Sequence, residues 1–414
     1  MDVNSFVIGY NKGKASVPPA SGGGAELNIA YGDTPPEDTT KLWVKTSEPS
    51  GVLISPEVEE TEVEGESFYA LPSPLPATLA YAGCAAIGTK IYIIGGQTTS
   101  GTSTTGSKSV IIFDTETKAY DTLTNALGTA IAGISCAVVG TRIYFAGGGE
   151  TYAKQNNLIR YFDTETKKLV TCGATMPYEA YGFTCGASGT DVYIFGGRQS
   201  STIDTVYRYD TIDDRLDDLP PLPYLCGQAS CVLFGSKFYI LAGNTNSYMY
   251  CYDIVSLEAS IVSKKVDGSN GARAVKLGED VYMLGGVSAW RVKKVDLQSG
   301  KTENVFPDLN PQLGFMAVAA VGENAYAFGG TTEIAETVPT DGAYVFSLNT
   351  PVPSIGEGSI YINPQVKNNI FPIIKSNNGI EIEIGVNAVY KGNADGVGEP
   401  VEAALYKNGA WTNV

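Results

Sequence analysis

Short runs of β-branched and aromatic residues alternate with polar turns along the chain, and one run recurs in register. IYIIGG, IYFAGG, VYIFGG, FYILAG, VYMLGG and AYAFGG each end in two small residues, the second at Gly96, Gly148, Gly197, Gly243, Gly286 and Gly330. The intervals are 52, 49, 46, 43 and 44 residues. Short apolar blocks bounded by glycine read as buried strands. A fixed period of this size reads as a repeat architecture.

Each repeat holds more than the small pair. Four residues before the Tyr of that strand stands a turn glycine: Gly88, Gly140, Gly189, Gly235, Gly278 and Gly322. A loop of variable length follows the pair. A third strand then ends in an aromatic or apolar residue plus Asp, as in IIFDTETK, RYFDTETK, YRYDTIDD, YCYDIVSL and KKVDLQSG, with Ser347 in place of Asp in the sixth copy. The Asp side chain is expected to cap the turn into a fourth strand. The small pair is expected where neighbouring units approach closely.

From about residue 67 to 350 these motifs resemble the kelch repeat, whose period is about 50 residues. The resemblance implies an all-β, six-bladed propeller. One departure stands out: where kelch repeats often carry tryptophan in the fourth strand, this chain has Tyr120, Leu169 or Leu216. A propeller must join its last blade to its first. No fourth strand follows SLNTPVPS, while SFYALPSPLP at 67–76 resembles RLDDLPPLP at 215–223. Residues 67–71 are therefore expected to supply the outer strand of blade six.

Cys84, Cys136, Cys185 and Cys231 each stand four residues before a turn glycine, and Ala274 and Val318 take that place in the last two repeats. Four thiols ringing an axis would be one reading. A small apolar packing position on the innermost strand is the other, and the Ala and Val favour it. No metal site and no cofactor are expected.

Composition narrows the chemistry. The 414 residues contain no histidine and carry a net charge of −16. Without histidine there is no His-based triad, general base or metal ligand; copper-radical oxidases, which share this kind of fold, need histidine ligands. A basic surface for nucleic acid or for anionic lipid is lacking. No sialidase-type SxDxGxxW box occurs. Neither a signal-peptide core nor an 18-residue apolar run is present, so a chain made in a reducing cytoplasm is expected. No catalytic residue is assigned, although Asp and Glu pairs leave a glycan hydrolase open as an alternative.

The organisation expected is a Gly-rich arm at 1–27, short strands and an acidic linker at 28–66, the propeller at 67–350 and a β-rich module at 351–414. In the last, GNADGVGE reads as a hairpin turn rather than a calcium loop, because it lacks the remaining ligands. AYGDTPPEDTTKLWVKTSEPSGV and VYKGNADGVGEPVEAALYKNGAWTNV resemble terminal segments of tail-associated proteins of phages and prophages of Gram-positive bacteria. That resemblance implies a multi-copy virion component, its ends held by other tail subunits and its propeller facing outward.

Loops joining strands two to three and four to one share one face of a propeller. Here they include 97–109, 150–157, 198–204, 244–247, 287–290 and 331–341, which vary widely in length. Recognition usually sits on such loops. The candidates are Tyr152, Tyr178, Tyr181, Tyr224 and Trp290 for stacking on sugar rings, and Arg198, Arg273 and Arg291 for carboxylate or phosphate. A bacterial surface glycan is the expected ligand. Loops that contact a tail or capsid subunit, and an intracellular kelch adaptor, are the other readings.

Overall fold

The computed structural model describes residues 59–98, 106–151, 154–241, 243, 247–266, 271–286, 292–306, 313–332 and 338–354, together with short strands between 6 and 44 and between 360 and 413. Six sheets form a β-propeller, and no helix occurs among the described residues. Blade one holds Gly83–Ile87, Lys90–Ile94, Val110–Asp114 and Tyr120–Leu123, antiparallel and paired in sequence order. Blades three, four and five repeat that order. Blade two adds Gly149–Thr151 and a long outer hairpin, Lys154–Asp163 with Lys168–Ala180.

The sixth sheet runs Ala317–Val321, Asn324–Phe328, Ala343–Ser354 and then Glu59–Ala70. The last strand begins at Glu59, so the acidic run expected as a linker is extended backbone instead.

Two parts of the repeat are partners across blades. The strand-two Tyr of one blade packs on the residue before Asp in the next: Tyr92 on Phe162 at 6.2 Å between ring centroids, Tyr144 on Tyr209 at 5.9 Å, and Tyr282 on Phe346 at 4.8 Å. Tyr326 on Phe113, at 5.7 Å, closes the circle between blades six and one. The core is thus a series of inter-blade layers, such as Tyr92, Ile94, Ile134, Phe145 and Phe162 between blades one and two. Leu169 and Leu216 pack at the margins of these layers, and Tyr120 lies 4.9 Å from Phe113. That is where the missing tryptophans would have stood.

The Asp after the packing residue holds the three-to-four turn. Asp114 Oδ1 accepts the N–H groups of Glu116 at 3.0 Å and Thr117 at 3.1 Å, and Asp210 Oδ1 accepts those of Ile212 and Asp213 at 2.9 and 3.0 Å. Asp163, Asp253 and Asp296 do the same. Backbone N–H donors hold Asp114, Asp163, Asp210 and Asp253 below the ordinary carboxylate range, and for Asp296 the Ser299 hydroxyl contributes most. Each turn ends in a left-handed residue: Lys118, Lys167, Asp214, Leu257 and Gly300.

These lowered values make stability acid-sensitive. The contribution of each Asp is complete above the unfolded value of about 3.9 and drains as pH falls through the lower folded value. The urea midpoint should therefore fall on going from pH 6 to pH 3, and Asp210→Asn should show a smaller fall than wild type. An unchanged slope in that variant would remove Asp210 from the account.

The terminal strands form small sheets of their own. Phe6–Val7, Ile360–Ile362, Val389–Gly392 and Gly398–Pro400 make one sheet, so residues from both ends share it. Val389–Gly392 pairs antiparallel with Gly398–Pro400, and the expected turn between them lies outside the described residues.

Candidate functional site

The small pair at the end of strand two ties five of the six blades to the next. Gly96 N–H donates to Ile131 O at 2.8 Å, Gly148 to Ala180 O at 2.9 Å, Gly197 to Cys226 O at 2.8 Å, Gly286 to Leu313 O at 3.0 Å and Gly330 to Leu79 O at 2.7 Å. A Cβ on the preceding glycine would strike the same carbonyls, at 2.2 Å for Gly95 and 1.9 Å for Gly196. The close approach expected from sequence is therefore a backbone contact between blades.

The same segments lace the loop face together. Gln97, at the root of the first two-to-three loop, bridges both Ala80 and Gly106, and Ser107 bridges Ile131 of the next blade. Tyr181 bridges Arg198, Arg198 bridges Thr202, and Ile203 bridges Cys226. Leu79 pairs with Thr340 where the last blade meets the first. The loop roots of blades one, two, three and six are thus held by backbone bridges.

Inside this frame lies a second ring. Tyr81, Gly133, Gly182, Gln228, Gly271 and Phe315 occupy equivalent places at the start of the innermost segments, and all six are left-handed, with φ from 54° to 72°. Gly133 N–H donates to Tyr81 O at 2.9 Å, Gly182 to Gly133 O at 2.8 Å and Gln228 to Gly182 O at 2.7 Å. Phe315 donates to Gly271 O at 2.7 Å and Tyr81 to Phe315 O at 3.1 Å. Between blades four and five the Arg273 guanidinium reaches the Gln228 carbonyl at 3.2 Å.

Below the ring is an axial cavity of about 120 Å³, lined by residues of all six blades. Cys84, Cys136, Cys185 and Cys231 all line it. Burial pushes these thiols up, Cys185 to about 12. They are protonated at neutral pH and behave as small apolar groups. Among the described residues no cluster of three or more Cys, Asp or Glu could hold a metal ion.

The predicted loop residues separate into four groups. Tyr152, Trp290 and Arg291 lie outside the described residues. Tyr178 and Tyr181 are half-buried. The Tyr178 hydroxyl meets Thr205 Oγ1, its ring lies 6.2 Å from Phe183, and burial raises its pKa. Tyr181 lies against Gly133, with burial raising its pKa and the Arg198 charge opposing that rise. Arg273 belongs to the axial cavity rather than to the loop tips. Arg198 is half-buried at the root of its loop, bridged to Tyr181 and Thr202, and Tyr224 is 49% exposed.

Tyr224 is part of a small aromatic stair. Its ring lies 5.4 Å from Tyr248, which lies 6.1 Å from Tyr250. Tyr250 is fully buried and donates its hydroxyl to Leu225 O at 3.1 Å. Sequence reasoning missed Tyr248, which stands one residue past the loop 244–247. It also missed the axial ring, although Gly133, Gly182 and Gly271 standing in register was a signal for a left-handed backbone.

Residues 81–286 match the family model described as the KLHDC2/KLHL20/DRC7 Kelch-repeats domain. The six-bladed ring is a kelch-repeat propeller. The match begins at the left-handed Tyr81 of blade one and ends at the glycine pair of blade five. No curated protein matches the chain. Kelch-repeat propeller domains are typically non-catalytic interaction modules, so the fold directs attention to surfaces. No helix among the described residues is long and apolar enough to cross a membrane.

Proposed function

We propose that this chain is a non-enzymatic binding scaffold of a phage virion, whose kelch propeller presents its loop face to a bacterial surface glycan. One observation carries the binding reading: an exposed aromatic, Tyr224, stands on a buried aromatic base within a loop frame held by backbone hydrogen bonds. Rigid aromatic faces at a rim stack on sugar rings at little cost in conformational entropy. The virion setting rests on the resemblance of the terminal segments to tail-associated proteins. Other tail subunits are the partners proposed for those ends.

The test uses the full chain, labelled, on a glycan array and on cell-wall fractions of Gram-positive bacteria. Binding should be saturable, and Tyr224→Ala should weaken it about three- to tenfold. The same variant should melt within about 0.5 kcal/mol of wild type, because the side chain is at the surface. Absence of binding to every fraction, with the fold intact, would sink the receptor reading. Cross-linking to a neighbouring subunit through residues 224 and 248 would then favour a purely structural role.

A further inference from the structure

The axial cavity has a chemistry that the loop face does not share. Among the described residues, Arg273 is the one charged side chain in its lining, which holds no Asp or Glu. In a chain of net charge −16 that is unusual, because carboxylates outnumber cations by 44 to 28. The guanidinium Nη1 donates to two backbone carbonyls, Gln228 O and Ala272 O, both at 3.2 Å. The group also lies 5.9 Å from the centre of the Phe315 ring. No carboxylate among the described residues pairs with it.

Carbonyls and an aromatic face satisfy a guanidinium geometrically without neutralising its charge. Arg273 is half-buried, and its partial removal from water lowers its pKa to about 10, with Tyr81 opposing that fall. Burying such a charge is costly unless it is paired. The cavity offers room for a partner. Its 120 Å³ exceeds the roughly 10–15 Å³ needed for one water and falls well short of the 300–1,000 Å³ of drug-sized sites. Ser135, Ser230 and Gln228 add polar groups to the wall.

We propose that the axial cavity binds one small oxyanion, a phosphate-, sulfate- or carboxylate-type group, with Arg273 as its charge partner. A planar guanidinium suits such groups because its donors form a fork that matches two oxygens. The backbone ring of Tyr81, Gly133, Gly182 and Gln228 stands over this cavity. The cavity is too small for a polymer, so this site is separate from the glycan-binding loop face and stands or falls independently of it.

The experiment titrates the full chain with sodium phosphate, sodium sulfate and sodium acetate by calorimetry, against sodium chloride at matched ionic strength. Thermal melts are recorded alongside. One or more of the three oxyanions should bind saturably at one site per chain and raise the melting temperature above the chloride control. Which of them does so separates the tetrahedral from the carboxylate source. Arg273→Met should weaken binding about ten- to a hundredfold, and Arg273→Lys should retain part of it.

A second readout does not depend on a variant folding. Cys84, Cys136 and Cys231 share the cavity wall, so the bound oxyanion should slow their modification by a small neutral thiol reagent in the wild-type protein. Three results would overturn the proposal. They are non-saturable heats equal to chloride, unchanged affinity in Arg273→Met, and thiol modification indifferent to all three anions.

Discussion

Gly196→Ala should destabilise the propeller by about 3 kcal/mol or more, while Gly189→Ala should cost only about 1 kcal/mol. Both glycines are left-handed, at φ of 59° and 62°, so the backbone penalty for alanine is similar. Their surroundings differ. A Cβ on Gly189 meets nothing within 4 Å, whereas one on Gly196 would lie 1.9 Å from Cys226 O and 2.7 Å from its carbonyl carbon. That carbonyl is backbone of the next blade and accepts the Gly197 N–H at 2.8 Å. To admit a methyl group the blades must part, which breaks that bond and loosens the layer of Phe195, Phe238 and Tyr252. Domains are stable by only about 5–15 kcal/mol, so the loss would be plain in urea unfolding. Equal losses in the two variants would mean that the small pair serves its own turn and not the blade interface.

That pair shows how much of the ring was legible in the sequence. The period, the strand and the expectation of close approach all follow from six copies in register. The identity of the neighbour does not, because it is a backbone carbonyl and leaves no trace in residue type. The pairing of the strand-two Tyr with the residue before Asp was visible in principle. Both places recur in every copy, with Ser347 standing for Asp in the sixth, yet they lie in different blades, and periodicity places residues on strands rather than across interfaces. Arg273 was legible as a functional type and misplaced in space. It follows the glycine that turns the chain inward, and a shift of two residues separates loop tip from axis.

The aromatic candidates fared unevenly for a similar reason. Tyr178, Tyr181 and Tyr224 all lie on four-to-one connections, and sequence gives them equal standing. In blade two the outer strand runs on to Ala180, so Tyr178 is held against Phe183 and Tyr207. In blade three the outer strand ends at Leu219, which leaves Tyr224 on an irregular connection and exposed. Strand length, not residue type, decided which tyrosine faces water.

The other large effect concerns closure. Deleting residues 1–72 should abolish the single cooperative unfolding transition, although it removes none of the six small pairs. The sixth repeat departs from the others at the place where closure would require it. In blades one to four, strand three stops at the Asp that caps a tight turn, as at Asp114 and Asp210. In blade six the strand runs on from Ala343 to Ser354, and the capping Asp is Ser347, which is 2% exposed. With no three-to-four turn there is nothing to cap, and a carboxylate at that buried place would be costly. The fourth strand of that sheet is Glu59–Ala70, from the other end of the chain. Its removal would leave Ala343–Ser354 without its outer neighbour in the sheet. It would also free the approach of Leu75 and Leu79, whose N–H groups donate to Asp341 O and Thr340 O at 2.8 and 2.9 Å. Those bonds lead directly into the contact of Leu79 O with Gly330 that joins blade six to blade one. Melting followed by tyrosine fluorescence and by far-ultraviolet dichroism should therefore lose coincidence in the truncated chain. A truncated protein that melts in one step at the full-length temperature would show that the ring closes without that strand.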